Sequence, residues 1–263
     1  MEEIRLATAD DVPAIAALYR SLSEQSARMR FSGVLSDVSI DGVAALRADT
    51  LALVVEEGDH VVAEVRYCCG EGGIPELALT ISDGHQGHGL GLRLLNALRA
   101  TALERGIPAL GAVVRTDNTA MVRLLQKVGC VIAEPVRDGV VMFEVGTDEY
   151  MPAWPPYDGR PRILVESQGL FDDDPTIRLR LAGFDVRRCL VARSGTRPCP
   201  LLAQGRCRVA EDADLVACLM PQKDEDAREI ADRHAAAHHL VARSMDEWRQ
   251  AAPVLAEGRD TIR

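Results

Sequence analysis

One segment carries the strongest structural signal in the sequence: Pro75-Glu-Leu-Ala-Leu-Thr-Ile-Ser-Asp-Gly-His-Gln-Gly-His-Gly-Leu-Gly-Leu-Arg-Leu-Leu95. Its apolar part, Leu77 to Ile81, is bounded by turn-forming residues and predicts a short strand. A glycine-rich bend from Gly84 to Gly91 follows, and the leucines after it recur with the period of a helix. Glycines at such a junction let the backbone approach a ligand closely, and the N–H groups of the first helical turn attract anions. The segment therefore predicts an anion-binding loop.

The loop does not match two common nucleotide-binding motifs. It contains no lysine and is not followed by Gly-Lys-Ser/Thr, which excludes the phosphate loop of nucleoside triphosphatases. Its spacing, Gln86-Gly-His-Gly-Leu-Gly91, also differs from the glycine fingerprint of dinucleotide-binding domains. The ligand of this loop must therefore be sought in another class.

The spacing resembles the Gln/Arg-x-x-Gly-x-Gly/Ala signature of the GNAT superfamily of N-acetyltransferases, in which the loop holds the pyrophosphate of acetyl-CoA. A second block, Asn118-Thr-Ala-Met-Val-Arg-Leu-Leu-Gln-Lys-Val-Gly129, resembles the GNAT helix that begins with Asn and ends in a glycine-led turn. The stretch Ser21-Leu-Ser-Glu-Gln-Ser-Ala-Arg-Met-Arg-Phe31 is similar to one in the GNAT domains of bacterial protein lysine acetyltransferases. Taken on its own residues, that stretch is only a polar helix end with two arginines.

The resemblance implies that acetyl-CoA is the acetyl donor and assigns residues to each of its parts. The pantetheine arm would run beside the backbone of one strand, the pyrophosphate would lie in the loop, and the far end of the pantetheine would reach the second block. The residues so assigned are Leu79, Thr80 and Ile81; Gln86, Gly87, His88, Gly89, Leu90, Gly91 and Leu92; and Asn118. His88 stands where many relatives carry arginine, which weakens the charge contact with phosphate unless the imidazole is protonated.

Glu76 is the candidate general base for direct attack of an amine on the thioester. Acetyl transfer requires the amine to lose a proton, and Glu76 begins an apolar strand that would desolvate its carboxylate. It also resembles the glutamate that acts as base in the lysine acetyltransferase subgroup. The alternative is a solvated charge at a strand end. Leu125 occupies the position where many relatives have a proton-donating tyrosine, so either the thiolate leaves without a dedicated acid or Tyr67 supplies the proton.

The order of predicted elements indicates an α/β protein with two domains. Residues 1–150 are expected to form a GNAT fold, a mixed and mostly antiparallel sheet with helices on both faces. A Pro-rich linker, 151–161, follows, and its composition suggests that few contacts cross it. Residues 162–263 alternate strands with helices and predict a small parallel α/β domain similar in order to receiver or flavodoxin-like folds. A last helix is expected from Met245 to Ala256.

Composition restricts the partners. Residues 1–150 carry 22 acids and 13 bases, a net charge of −9, whereas residues 151–263 carry 18 and 17, a net charge of −1. The acidic front half lacks the excess of Lys and Arg that binding to nucleic acid phosphates requires, and its negative charge suits a cationic acceptor. No apolar run is long enough to span a membrane, and the N-terminus lacks the features of a signal peptide, so a cytoplasmic protein is expected.

The cysteines and histidines do not have the spacing of a metal site. Cys199 and Cys207 lie eight residues apart, whereas structural zinc sites use pairs two to four residues apart, and His234 and His238 lie one helical turn apart. We therefore expect no metal, although Cys199 and Cys207 could form a reversible disulfide. Two further cysteines, Cys189 and Cys218, are expected to fill space in buried strands.

Two functions remain for the chain. The first is an acetyl-CoA-dependent N-acetyltransferase that modifies a primary amine, with a protein lysine as one candidate acceptor. The second is a non-catalytic acyl-CoA sensor whose C-terminal half signals or binds a protein. Binding of CoA without thiol release would distinguish the sensor from the enzyme.

Overall fold

The computed structural model of the chain describes residues 3–31, 36–69, 74–128, 130–137, 139–147, 152–167, 175–190, 199–219, 225–236, 240–243, 246–247 and 250. By its internal contacts the chain divides into two compact units, Met1–Leu124 and Leu125–Arg263. Within these described ranges, no helix combines the length and the apolar character needed to cross a membrane.

The first unit contains a mixed, mostly antiparallel sheet. Its strands in the described residues are β1 (Ile4–Leu6), β2 (Thr50–Glu57), β3 (His60–Cys68), β4 (Glu76–Ile81) and β5 (Ala109–Arg115). They lie side by side in chain order, antiparallel from β1 to β4 and parallel between β4 and β5. The helices are α1 (Val12–Ser21), α2 (Glu24–Phe31), α3 (Asp37–Ala44), α4 (Leu90–Glu104) and α5 (Thr119–Val128), the last of which runs across the division between the units.

Apolar stripes with the period of a helix hold these helices on the sheet. In α1, Ile15 and Leu18 are buried in one cluster with Ile40 of α3 and Val54 of β2. The helix α4 buries its own row of leucines, Leu94, Leu95 and Leu98. Burial of a side chain of this size contributes roughly 1.5–3 kcal/mol relative to exposure, so packing and not intrinsic propensity stabilises these helices.

Two helices differ from the sequence prediction. The polar stretch after α1 forms a separate helix, α2, where the sequence indicated only a helix end. The pair Asp41-Gly42 is typical of a turn and predicts a helix that starts after it. The helix α3 instead begins at Asp37, because the hydroxyl of Ser36 accepts a hydrogen bond from the Ser39 N–H and caps the first turn.

A buried ion pair joins β3 to helices α1 and α3. Glu64 is fully buried, and its two carboxylate oxygens accept from the Tyr19 hydroxyl, at 3.0 Å, and from the Arg66 Nε. The other guanidinium nitrogens of Arg66 donate to the carbonyl groups of residues 43–45 at the C-terminal end of α3. Burial, reinforced by the charge of Glu64, raises the pKa of Tyr19. The pair therefore fixes both helices on the sheet.

Replacing Glu64 with glutamine should destabilise the first unit by about 3 kcal/mol, because Arg66 would remain as an uncompensated buried charge. Denaturant unfolding monitored by circular dichroism would measure the change. Tyr19→Phe is the milder control, since it removes one neutral donor and should cost about 1 kcal/mol. Equal unfolding midpoints for Glu64→Gln and the wild type would contradict a stabilising role for the ion pair.

The second unit contains a small parallel sheet. The strands in its described part are β6 (Cys130–Arg137), β7 (Val140–Gly146), β8 (Arg162–Ser167), β9 (Asp185–Leu190), β10 (Leu215–Cys218) and β11 (Leu240–Ala242). Parallel pairing joins β9 to β8, β8 to β10 and β10 to β11, whereas β6 is antiparallel to both β7 and β9. The helices are α6 (Pro175–Leu181), α7 (Pro200–Gln204), α8 (Arg208–Glu211) and α9 (Glu225–Ala236). The helix predicted for 245–256 falls almost entirely outside the described residues.

The expectation that few contacts cross the Pro-rich segment is wrong. Strand β6 precedes that segment and pairs with β9, which follows it, in the register Val131 with Cys189. A buried ion pair also crosses, because Arg187 of β9 donates to Glu144 of β7 at 3.0 Å. Trp154, within the segment itself, is buried and donates from its indole N–H to the Val209 carbonyl at 2.7 Å. Proline content reports local stiffness and says nothing about long-range pairing. The domain boundaries at 150 and 162 stay a prediction.

A fragment that ends at residue 150 should aggregate at concentrations where the full chain is monodisperse. Its β6 strand would lose its partner β9, and an unpaired strand edge is a template for association. Glu144 would also remain buried or partly buried without Arg187. Size-exclusion chromatography and thermal unfolding would measure both effects. A monomeric fragment with the unfolding temperature of the full chain would show that the front residues fold independently after all.

Candidate functional site

The glycine loop has the geometry of an anion site. A 3₁₀ turn (Asp83–His85) follows β4, and α4 starts at Leu90 with Gly89 as its N-cap. Gly87 and Gly89 have φ angles of +81° and +84°, in the left-handed region that disfavours residues with a Cβ atom. A Cβ built on either glycine would meet no other heavy atom within 4 Å, so the space above the loop is open. The first-turn N–H groups of α4 and its positive dipole end adjoin this space.

Gly91 differs from the other two loop glycines. Its φ angle lies outside the left-handed region, and a Cβ there would lie 3.3 Å from side-chain carbons of both Ile81 and Leu124. The side chain of Leu79 follows at 3.6 Å. Gly91 therefore allows α4 to pack closely on β4 and α5, whereas the sequence argument treated it like its neighbours. The side chains of Leu79 and Ile81 on β4 face α4.

The strands β4 and β5 separate along their length. In the described residues their register pairing is limited to Glu76 with Gly111, at the start of β4, where the Gly111 N–H donates to the Pro75 carbonyl at 2.8 Å. Farther along, Val113 of β5 is 50% exposed. Backbone groups of β4 that a complete ladder would occupy are thus available to a ligand that enters between the strands.

The other residues that the sequence assigns to acetyl-CoA differ in their exposure. His88 is exposed, Leu90 is buried and Leu92 is partly buried. Asn118 caps α5, because its side-chain oxygen accepts from the Met121 N–H at 3.1 Å. Thr80 is buried and accepts from Arg30 of α2. The assignment of all these residues to acetyl-CoA stays a prediction.

Glu76 is exposed at the first position of β4, opposite Cys68 of β3. The sequence argument expected the apolar strand to desolvate its carboxylate, and that expectation is wrong. Alternate residues of a strand point to opposite faces, so the apolar neighbours of Glu76 in sequence do not surround it. Its catalytic role stays a prediction, now based on position alone.

Glu64, an acid on the neighbouring strand β3, and Tyr67 are both placed unfavourably for proton transfer. Glu64 is fully buried with both carboxylate oxygens bonded, so it serves the fold and offers no exposed base. Tyr67 is buried, and desolvation raises the pKa of its phenol. Because it pairs with Leu77 while Cys68 pairs with Glu76, the side chains of Tyr67 and Glu76 lie on opposite faces of the sheet.

Sequence analysis missed a set of polar residues that contact the loop. Asp83 accepts from the Ser23 N–H at 2.8 Å and from the hydroxyl of Ser26 at 2.6 Å. The bond from Ser26, followed by that from the Ser23 N–H, lowers the pKa of Asp83. The side-chain amide of Gln86 donates to Ser26 at 3.2 Å and to the Ile81 carbonyl at 3.0 Å. The Ser-x-x-Ser spacing in the stretch 21–31 was the available signal, because it places two hydroxyls on one turn of a helix.

The second unit contains a buried thiol, carboxylate and imidazole. Glu166 of β8 accepts from the Cys218 thiol at 3.0 Å, and His234 Nε2 of α9 lies 3.0 Å from its other oxygen. Cys218 is thus more than the space filler that the sequence suggested.

Burial raises the pKa of Cys199 to about 11 and that of Cys207 to about 12, and neither is disulfide-bonded. In the part of the chain that is described, no group of three or more His, Cys, Asp or Glu side chains is arranged to hold a metal ion. His238 lies outside the described residues.

Comparisons with known proteins agree on one family. Residues 15–130 match the model of the acetyltransferase (GNAT) family. The acetyltransferase Pat of Mycolicibacterium smegmatis is 38% identical over 104 residues, which make up 37% of this chain and 30% of that protein. This chain therefore matches less than a third of that relative's length. The GNAT domain of S. lividans PAT is 30% identical, with a TM-score of 0.49 over 55% of this chain and 90% of that one. YncA of Salmonella typhimurium, solved with acetyl-CoA, is 22% identical, with a TM-score of 0.48 over 59% and 98%.

Proposed function

The chain belongs to the acetyltransferase (GNAT) family through residues 15–130, and from that premise we propose that it transfers the acetyl group of acetyl-CoA to a primary amine. The observation that carries the proposal is the open space above Gly87 and Gly89 at the N-terminus of α4. A pyrophosphate placed there would meet backbone N–H groups and the positive end of a helix dipole.

The residues present fit acetyl-CoA as the donor. The pyrophosphate would contact the loop from Gln86 to Leu92, and the amides of the pantetheine arm would pair with the backbone of Leu79, Thr80 and Ile81. Separation of β4 from β5 supports the second contact, because it leaves one edge of β4 without a complete ladder. Asn118 begins α5 near the end of β5 and would adjoin the far end of the arm.

The chemistry requires a cationic amine to lose one proton before it attacks and a second as the amide forms. The amine nitrogen attacks the thioester carbonyl, the C–S bond breaks, and CoA leaves as a thiolate that takes up the second amine proton to become the thiol. We assign removal of the amine proton to Glu76, directly or through a water molecule. Its exposed position at the start of β4, where β4 pairs with β5, supports this role, because an acceptor amine can approach it from solvent.

The acceptor is proposed to be cationic before reaction, and a protein lysine is one candidate. The net charge of −9 over residues 1–150 supports attraction of a positively charged group.

The C-terminal half would add a receiver- or flavodoxin-like domain over residues 162–263. The strand order β9-β8-β10-β11 supports this, because it places the first strand between the second and third, as those folds do.

A non-catalytic acyl-CoA sensor is the second candidate. The exposure of Glu76 favours it, because a carboxylate in solvent is not enclosed in a reaction site. In that case the donor site would be retained for binding alone, and the C-terminal half would transmit the signal.

Two measurements on the full chain separate these functions. Calorimetry with CoA and with acetyl-CoA tests the site, and a thiol-release assay over amines and lysine-containing peptides tests turnover. Saturable binding with CoA release supports the enzyme, and saturable binding without release for any acceptor supports the sensor. An absence of binding would overturn both, because both depend on the glycine loop.

A further inference from the structure

The helix α2 contacts three segments that we assign to the donor, although it buries none of its own side chains. Most helices are held on a protein by an apolar stripe. The helix α2 packs Phe31 at its end on the core, where the ring lies 5.2 Å from that of Tyr19, and otherwise carries serines and arginines toward its neighbours. Polar contacts therefore supply most of its attachment. This dependence on polar contacts suggests a role other than filling the core.

The N-terminal end of α2 is fixed by one carboxylate of the loop region. Asp83 accepts from the Ser23 N–H and hydroxyl, at 2.8 and 2.9 Å, and from the Ser26 hydroxyl at 2.6 Å. The Ser26 oxygen also accepts from the Gln86 amide at 3.2 Å. The Ser26 hydroxyl therefore acts both as a donor, to Asp83, and as an acceptor, from Gln86. Since Gln86 is the first residue of the glycine loop, Ser26 connects α2 to the loop.

The C-terminal end of α2 reaches the other two donor segments. The Arg30 Nε donates to the Thr80 hydroxyl at 3.0 Å, in the middle of β4. Its guanidinium carbon also lies 4.8 Å from the ring centroid of Phe31, which restricts the arginine side chain. Arg28 donates to Asp117 at 2.8 Å, immediately before Asn118. One short helix is therefore bonded to β4, to the glycine loop and to the start of α5.

We propose that α2 is a polar brace that positions the donor site, with Ser26 and Asp83 as positioning residues for the glycine loop. This inference rests on the proposed function, because it assumes that the loop binds acetyl-CoA. One extended molecule can bind all three segments only if they keep a fixed spacing. Contacts that bridge the segments hold that spacing before the molecule binds, so they reduce the entropy lost on binding and raise the affinity for acetyl-CoA. Linkage is reciprocal, so acetyl-CoA in turn must stabilise α2 on the sheet.

Ser26→Ala tests the brace with a small change. It removes the bonds to Asp83 and Gln86 but keeps the helix, and it should weaken acetyl-CoA binding about five- to tenfold, the scale of one typical intramolecular hydrogen bond. Turnover at saturating acetyl-CoA should change little, so the loss should lie in KM. Ser26→Thr retains a hydroxyl and should restore affinity. Ser21→Ala is the matched control, because the Ser21 hydroxyl donates to the Leu18 carbonyl of its own helix.

Hydrogen exchange provides the second readout. Acetyl-CoA should slow exchange of the α2 amides in the wild type and in Ser21→Ala, and should slow it less in Ser26→Ala. A helix that serves only local stability would exchange faster in the variant without any change in acetyl-CoA affinity, and that result would overturn the brace. Failure of Ser26→Thr to restore affinity would overturn it as well. If the wild type does not bind acetyl-CoA at all, the proposed function fails first, so the two failures are distinguishable.

Discussion

Gly89→Val should abolish acetyl-CoA binding by the full chain and leave it folded. Gly89 caps α4 with a φ angle of +84°, and the space that its Cβ would enter is empty of protein atoms. We assign that space to the pyrophosphate, so a valine side chain would exclude the ligand directly. The left-handed conformation adds about 1–2 kcal/mol of strain, which the loop can relieve only by rotating the N–H groups that would bind phosphate. Calorimetry with acetyl-CoA measures the loss.

The first unit provides a matched control for this substitution. Gly58, in the hairpin between β2 and β3, has a φ angle of +60° and equally open surroundings. Gly58→Val therefore carries a similar backbone strain at a position that we assign no ligand. Both variants should lose comparable stability, and only Gly89→Val should lose acetyl-CoA. Retained affinity in a folded Gly89→Val variant would remove the loop from the donor site.

Gly91 shows which structural features a local sequence pattern can predict and which it cannot. The glycine spacing correctly indicated a strand, a bend and a helix, because each signal depends on a few neighbouring residues. It could not show that Gly89 faces open space while Gly91 contacts Ile81 and Leu124. That distinction depends on where α5 packs, and α5 is nearly thirty residues farther along the chain.

The polar contacts of α2 were harder still to predict. An apolar stripe can be recognised in a sequence by its helical period, as in α1, whereas serines and arginines on a helix usually face solvent. Ser26 and Asp83 are far apart in sequence and meet only because α2 crosses the end of β4. The pairing of β6 with β9 was missed for the same reason, since nothing local in either strand identifies its neighbour. Periodicity thus predicted most elements, and neither it nor composition predicted which polar groups meet.

Glu76→Gln should lower kcat/KM by about 100- to 1,000-fold, the scale expected when one general base is removed. The substitution keeps the size and shape of the side chain and removes its capacity to accept the amine proton. Acetyl-CoA affinity should remain unchanged, because the pantetheine contacts we assign to β4 use its backbone. The rising limb of the pH–rate profile should also change. Thiol release at saturating acetyl-CoA, with the acceptor varied, measures the rate.

The exposed position of Glu76 makes its control important. Glu104, at the C-terminal end of α4, is also exposed, so Glu104→Gln removes the same charge at the far end of that helix from the loop. If both variants lose activity equally, the effect is the general acidity of the surface and not a base. If Glu76→Gln keeps the wild-type rate at every pH, Glu64 cannot replace it, because both of its oxygens are bonded inside the core. The amine would then have to arrive deprotonated, and positioning by the donor site would be the chain's whole contribution to the rate.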